Sequence, residues 1–312
     1  MSAVRPFGRT LCAMVTPFTD DGSLDLDGAQ RLATHLVDRG GCDGLVLNGT
    51  TGESPTTTDA EKTRLVEAVA EAVGDRARIT AGVGSSDTRH TIGLARAAQR
   101  AGAHGLLVVT PYYSRPPQEA VEAHFRGVAD AVELPVMLYD IPGRTATRIE
   151  PATMIRLAGH PRIVGVKDCS YDVLGISKVL SDTGLAVHSG CDEMNLPLYA
   201  IGAAGVISTV ANVAGPEIRA VLDAHDRGDN AGAARLHRRL VPLTELMMAG
   251  GLPGAVTAKA LLNALGLPGG PVRGPLQPAG PERTDGLLDA LARLRRAAPG
   301  PVPRPGSVEI RS

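Results

Sequence analysis

Short apolar runs alternate with amphipathic stretches over the first two thirds of the chain. Runs rich in Val, Ile and Leu, bounded by Gly, Pro, Asn or Asp, read as strands at 10–18, 43–49, 78–84, 105–111, 135–142, 163–170, 185–191 and 205–212. Between them, 25–39, 59–73, 88–101 and 118–131 repeat apolar residues at helical spacing. Thr58-Asp59-Ala60-Glu61 has the form of a capping box and marks a helix start. Eight strands with helices between them predict a parallel α/β sheet, and the number eight favours a closed (β/α)8 TIM barrel. A doubly wound open sheet is the competing architecture. It loses ground because Gly82-Val83-Gly84 lacks a third glycine at the spacing of a dinucleotide-binding turn.

After the eighth strand the pattern turns helical, at 216–227, 231–248, 256–265 and 283–298. The expected organisation is a catalytic barrel over 8–214, a C-terminal helical extension over 215–298 and a disordered tail over 299–312. The tail opens Pro299-Gly300-Pro301-Val302-Pro303, a composition that cannot build a packed element.

Composition sharpens this picture. Hydrophobic residues make up 43% of the chain, but there are only three Phe, five Tyr and no Trp. Aliphatic residues must therefore form the core, and each tyrosine becomes worth inspecting. A net charge of −1, with acids and bases interspersed, argues against a nucleic-acid surface. No apolar segment is long enough to span a membrane, and the run at 11–15 is too short for a signal-peptide core. Cys12, Cys42, Cys169 and Cys191 form no CxxC, and the histidines form no HxxxH pair. That points to reduced thiols in a cytoplasmic protein and away from a structural zinc site.

The candidate chemistry centres on Lys167, which ends the apolar run Ile163-Val164-Gly165-Val166. Strand alternation predicts that Ile163, Gly165 and Lys167 share one face, with Val164 and Val166 on the other. On a packed interior face the ammonium is desolvated, its pKa falls, and the neutral amine can condense with carbonyls. A strand-end lysine that snorkels to water is the competing use. Only four lysines occur among 32 basic residues, and arginine could not serve as this nucleophile.

Other unusual residues fall at neighbouring strand ends, where barrels of this kind gather their functional groups. Gly49-Thr50-Thr51-Gly52-Glu53-Ser54 offers backbone N–H groups and hydroxyls that suit a carboxylate, or it is a plain turn. Tyr112-Tyr113 precedes a proline-bounded loop and could supply a phenol or pack at an interface. Arg144, in Tyr139-Asp140-Ile141-Pro142-Gly143-Arg144-Thr145, suits a bidentate clamp on a carboxylate or a solvated loop charge. His188 and Cys191 read as packing residues.

Taken in order, these segments are recognisable. Together with Thr16-Pro17-Phe18, Pro111–Pro116, Gly165-Val166-Lys167-Asp168 and Gly205-Val206-Ile207-Ser208, they resemble the dihydrodipicolinate synthase family, also called 4-hydroxy-tetrahydrodipicolinate synthase. That family belongs to the class I pyruvate-aldolase superfamily with N-acetylneuraminate lyase. The resemblance spans about residues 8 to 297. It implies that Lys167 forms a Schiff base with pyruvate, that Thr50 and Thr51 hold the pyruvate carboxylate, and that Tyr139 carries protons at the reacting centre. Thr50 would link Tyr139 to Tyr113, the latter reaching in from a neighbouring subunit of a homotetramer built as a dimer of dimers. Arg144 would grip the carboxylate of L-aspartate semialdehyde. Gly190 would belong to the substrate site, and the Ile207 carbonyl would face the lysine. No metal or organic cofactor is implied.

One position departs from the family pattern. Many synthases carry Ser-Gly-Asp-Asp where this chain has Ser189-Gly190-Cys191-Asp192. That leaves room for a related pyruvate-dependent aldolase or dehydratase acting on another aldehyde or 2-oxo sugar acid. Retained Arg144 favours the synthase. A catalytically silent barrel that binds small molecules would be favoured by a missing lysine or tyrosine, and neither is missing.

Overall fold

The computed structural model describes residues 5–248 and 250–296; the tail expected over 299–312 lies outside them. Strands β1 (Thr10–Ala13), β2 (Gly44–Leu47), β3 (Arg78–Gly82), β4 (Gly105–Val109), β5 (Val136–Asp140), β6 (Ile163–Asp168), β7 (Ala186–Ser189) and β8 (Gly205–Ser208) pair in parallel, each with the next. Pairing of β8 with β1 closes the barrel. Nearly every strand residue is buried, because one side faces the barrel interior and the other a layer of helices.

The helices between strands are α1 (Leu26–Asp38), α2 (Asp59–Val73), α3 (Thr88–Arg100), α4 (Gln118–Asp130), α5 (Pro142–Thr145), α6 (Pro151–Leu157), α7 (Val173–Asp182) and α8 (Asn195–Ala200). The expected capping box is present: the Glu61 N–H donates to Thr58 Oγ1 at 3.2 Å, and the Thr58 N–H donates to Glu61 Oε2 at 2.8 Å. Beyond β8 come α9 (Ala211–Asp226), kinked at Ala214, then α10 (Asn230–Met248), α11 (Gly254–Ala264) and α12 (Pro281–Arg296). Helix α9 packs back against β1 and against α10. No helix among the described residues is long and apolar enough to cross a membrane.

Two sequence expectations need correction. The eighth strand was expected to run to 212, but β8 stops at Ser208 and Ala211 opens a helix. The buried Asp192 carboxylate turns the chain there, accepting the N–H groups of Thr209 at 3.1 Å and Val210 at 3.2 Å. The second correction concerns β6. Its register with β5 slips between Val136 and Met137, so that Val136 pairs with Ile163 while Met137 pairs with Gly165. This bulge puts Ile163 with Val166 in the outer core, and Val164 packs toward the barrel interior. Beyond it the expected alternation holds: Gly165 and Lys167 face inward.

The barrel interior is filled by Phe7, Leu11, Ala13, Val46, Leu107, Met137, Tyr139, Cys169 and Ile207. Phe7, just upstream of β1, stoppers the N-terminal end. Its ring needs two glycines: a Cβ on Gly105 would lie 2.6 Å from Phe7 Cε1, and one on Gly165 would lie 3.1 Å from Cε2. The fully buried His188 packs edge-on to this ring at 6.3 Å, with Nε2 3.0 Å from the Gly8 carbonyl oxygen.

Candidate active site

Strands β5 and β6 place Tyr139 and Lys167 side by side as register partners on the inner face, at the C-terminal end of the barrel. The Lys167 ammonium lies 4.3 Å from the centroid of the Tyr139 ring. Lys167 is 5% exposed, and burial pulls its pKa below the ordinary lysine value. Burial likewise pushes the Tyr139 phenol well up. The adjacent carboxylates, Asp140 and Asp168, follow the strand alternation to the opposite face. There Asp140 accepts the Ile149 N–H at 2.9 Å, and burial raises its carboxyl to about 7. Lys167 is therefore left without a neighbouring strand carboxylate to hold its proton.

Gly190, at the end of β7, makes space for the amine. A Cβ there would fall 2.7 Å from Lys167 Cε and 2.5 Å from Cys169 Sγ. The Cys169 thiol, beside Cys191 and buried, stays well above its ordinary value and is neutral next to the lysine.

The second strand end contributes the threonines. The Thr50 hydroxyl lies 3.5 Å from the Tyr139 hydroxyl, at the limit of hydrogen bonding. Thr51 Oγ1 and Thr209 Oγ1 are 2.9 Å apart, which ties this loop to the β8–α9 turn. Two adjoining cavities open here, of about 470 and 460 Å³, sharing Thr50, Tyr139, Ile141 and Arg144 in their walls. Lys167, Gly190, Cys191 and Thr51 line the first; Lys62, His90 and Tyr112 line the second.

The structure thus brings Lys167, Tyr139, Thr50, Thr51, Arg144 and Gly190 around one space. It does not bring in Tyr113, which is 95% exposed on its own chain with φ at 74° and lines neither cavity. Ile207 is buried in the interior cluster and also lines neither.

Sequence reasoning missed several residues that shape the site. Cys169 follows Lys167 by two positions on the same strand face, and that spacing was a usable signal. Asp192 orders the β8 turn beneath Thr209. Lys259 is a lone charge in the apolar helix α11, and its ammonium meets Glu53 of the threonine loop at 2.6 Å. Charge on an otherwise apolar helix was the clue.

Comparison with known proteins gives the family of the chain. The sequence profile described as the dihydrodipicolinate synthetase family matches residues 6–294. The chain is 73% identical over 289 residues to 4-hydroxy-tetrahydrodipicolinate synthase 1 of Streptomyces coelicolor, covering 93% of this chain and 94% of the relative. It is 60% identical over 290 residues to the 4-hydroxy-tetrahydrodipicolinate synthase of Acidothermus cellulolyticus, covering 93% and 91%. Among solved structures, DHDPS from Cyanidioschyzon merolae with lysine bound superposes with a TM-score of 0.89 at 37% identity, covering 93% of this chain and 99% of that one. By sequence, architecture and the order of its strand-end residues, the chain belongs to the dihydrodipicolinate synthetase family.

Proposed function

We infer that this protein condenses pyruvate with L-aspartate semialdehyde to give 4-hydroxy-tetrahydrodipicolinate, a step toward diaminopimelate and lysine. The names of the relatives support this reading over the sugar-acid alternative. The observation that carries the mechanism is the buried Lys167 amine against Tyr139 at the base of an open cavity.

The neutral amine attacks the pyruvate C2 carbonyl, and loss of water from the carbinolamine gives an iminium. Tyr139 moves the protons of this exchange, and Thr50 hydrogen-bonds its phenol. The Thr50 and Thr51 loop receives the carboxylate through hydroxyls and N–H groups. The iminium draws electrons from the methyl group, which loses a proton to become an enamine, so no metal or organic cofactor is needed. The enamine carbon attacks the aldehyde, whose carboxylate Arg144 holds. The amino group of the bound semialdehyde then displaces Lys167 from C2, closing the ring and freeing the enzyme. Over the cycle one water is released.

This reading extends to properties of the assembly. The exposed Tyr113 is suited to completing the Thr50–Tyr139 relay in a neighbouring subunit, which needs at least a dimer, and we extend this to a homotetramer built as a dimer of dimers. We place the enzyme in the cytoplasm, and we divide it into a barrel over 8–214 and an extension over 215–298. Borohydride reduction with pyruvate, followed by peptide mapping, tests the core of the proposal. A stable pyruvate adduct on the Lys167 peptide is expected, and intact protein without that adduct would refute it.

A further inference from the structure

A loop whose hydroxyls orient a carboxylate must itself be held in place. The Gly49–Gly52 segment is bracketed by two non-glycine residues in left-handed backbone, Asn48 with φ at 56° and Glu53 with φ at 53°. Such backbone persists only where its surroundings over-determine it. Within the barrel, Thr16 Oγ1 donates to the Gly52 carbonyl at 2.7 Å, and Glu53 N–H donates to the Thr50 carbonyl at 3.2 Å.

The Glu53 side chain reaches outside the barrel. Oε2 accepts the backbone N–H of Arg273 at 2.9 Å, and Oε1 lies 2.6 Å from Lys259 Nζ. The side chains of Lys259 and Glu53 are 2% and 1% exposed. Oε1 has no aligned hydrogen-bond donor, so this contact is chiefly ionic. Lys259 also donates to the Pro271 carbonyl at 2.6 Å. The Arg273 guanidinium turns back to the barrel, donating to Gly22 and Thr56 carbonyls and to Glu61. Phe18 sits between the two cations, 4.2 Å from Lys259 Nζ and 4.0 Å from Arg273 Cζ.

We propose that Glu53 and Lys259 are positioning residues, through which the C-terminal extension sets where the Thr50 and Thr51 hydroxyls stand relative to Lys167. A buried ion pair alone argues weakly for stability, since apolar residues of similar volume often replace one without loss. Its placement is informative here. The two oxygens of one carboxylate meet two separate parts of the extension, and that carboxylate adjoins the threonine loop. Displacement of the extension is therefore transmitted to the substrate cradle, where a small misplacement costs rate steeply.

The test rests on the pyruvate–Lys167 imine, for which the wild-type protein is the control. Glu53→Gln keeps the side-chain size and an acceptor for the Arg273 N–H. Lys259, already held down at about 8 by burial, can then shed its proton, so no uncompensated charge stays buried. Glu53→Gln combined with Lys259→Met is the second variant and removes both charges. Measured together are the pyruvate concentration for half-maximal borohydride trapping, KM for each substrate, and the thermal transition. The expected result is a roughly tenfold higher pyruvate requirement, an aldehyde KM within about twofold of wild type, and a cooperative transition. An unchanged pyruvate requirement in either folded variant, or an equal rise in both KM values, would overturn the proposal. Failure of trapping in the wild type would overturn the imine reading and this inference with it. Normal wild-type trapping beside an unchanged variant would overturn this inference alone.

Discussion

Two lysines are buried in this protein to nearly the same degree, and their neighbours give them opposite uses. Lys259 has the Glu53 carboxylate 2.6 Å away and a carbonyl oxygen as well. Lys167 has an aromatic face, the neutral Cys169 thiol and a cavity. Burial lowers both pKa values. A counter-charge in direct contact makes the first a fixed structural cation. The second meets none among the described residues, the nearby Asp192 carboxylate being held by Ser208 and the Thr209 and Val210 N–H groups, and can become a free amine. Desolvation creates a nucleophile only where no adjacent carboxylate retains the proton and a substrate can reach the nitrogen.

The largest expected effects come from exchanging these roles. Lys167→Ala should abolish the borohydride-trapped adduct and nearly all turnover while keeping a cooperative thermal transition. Lys259→Met should do the reverse, still trapping pyruvate at saturation but losing roughly 3–5 kcal/mol of stability, because it strands the Glu53 charge. Denaturant titration and trapping on both variants check the contrast. Equal stability losses would erase it.

Tyr139→Phe should keep the fold and lower kcat by roughly 10²- to 10⁴-fold, the range for loss of a proton carrier. Steady-state kinetics at saturating substrates decide this, and near-normal turnover would remove the phenol from the mechanism. Arg144→Ala should raise the aldehyde KM by about tenfold or more, with pyruvate trapping unchanged. A matching loss of trapping would move Arg144 to the pyruvate half of the site. The mildest effect is on the pH profile. Deprotonation activates Lys167, so the trapping rate should rise with pH and level off below the ordinary lysine value of 10.5. A plateau at or above that value would mean that burial does not activate the amine.

Much of the barrel was legible because each strand–helix unit is local. Apolar runs ended at turn residues, and the capping box at Thr58 marked the start of α2 within the residue. Lys167, Tyr139 and the threonine loop were legible because strand order delivers strand ends to one rim. The bulge in β6 was not, because slippage depends on the partner strand; Gly165 was its one local hint. Glu53 and Arg273 lie 220 positions apart, so neither sequence neighbourhood announces the other. Ile207 was named for its backbone carbonyl, which side-chain packing in the interior cluster does not report on, and its side chain lies outside both cavity walls.

Phe7 has a consequence for the order of events. Because its ring closes the far end of the barrel, the Lys167 chamber is blind on that side. On the proposed mechanism the ketoacid enters first and sits deepest, and the water expelled on imine formation leaves past the place the second reactant will occupy. The aldehyde then lies across the entrance, and the cyclised product must depart before another ketoacid can enter. A stopper at the base of the fold thus imposes a queue at its top.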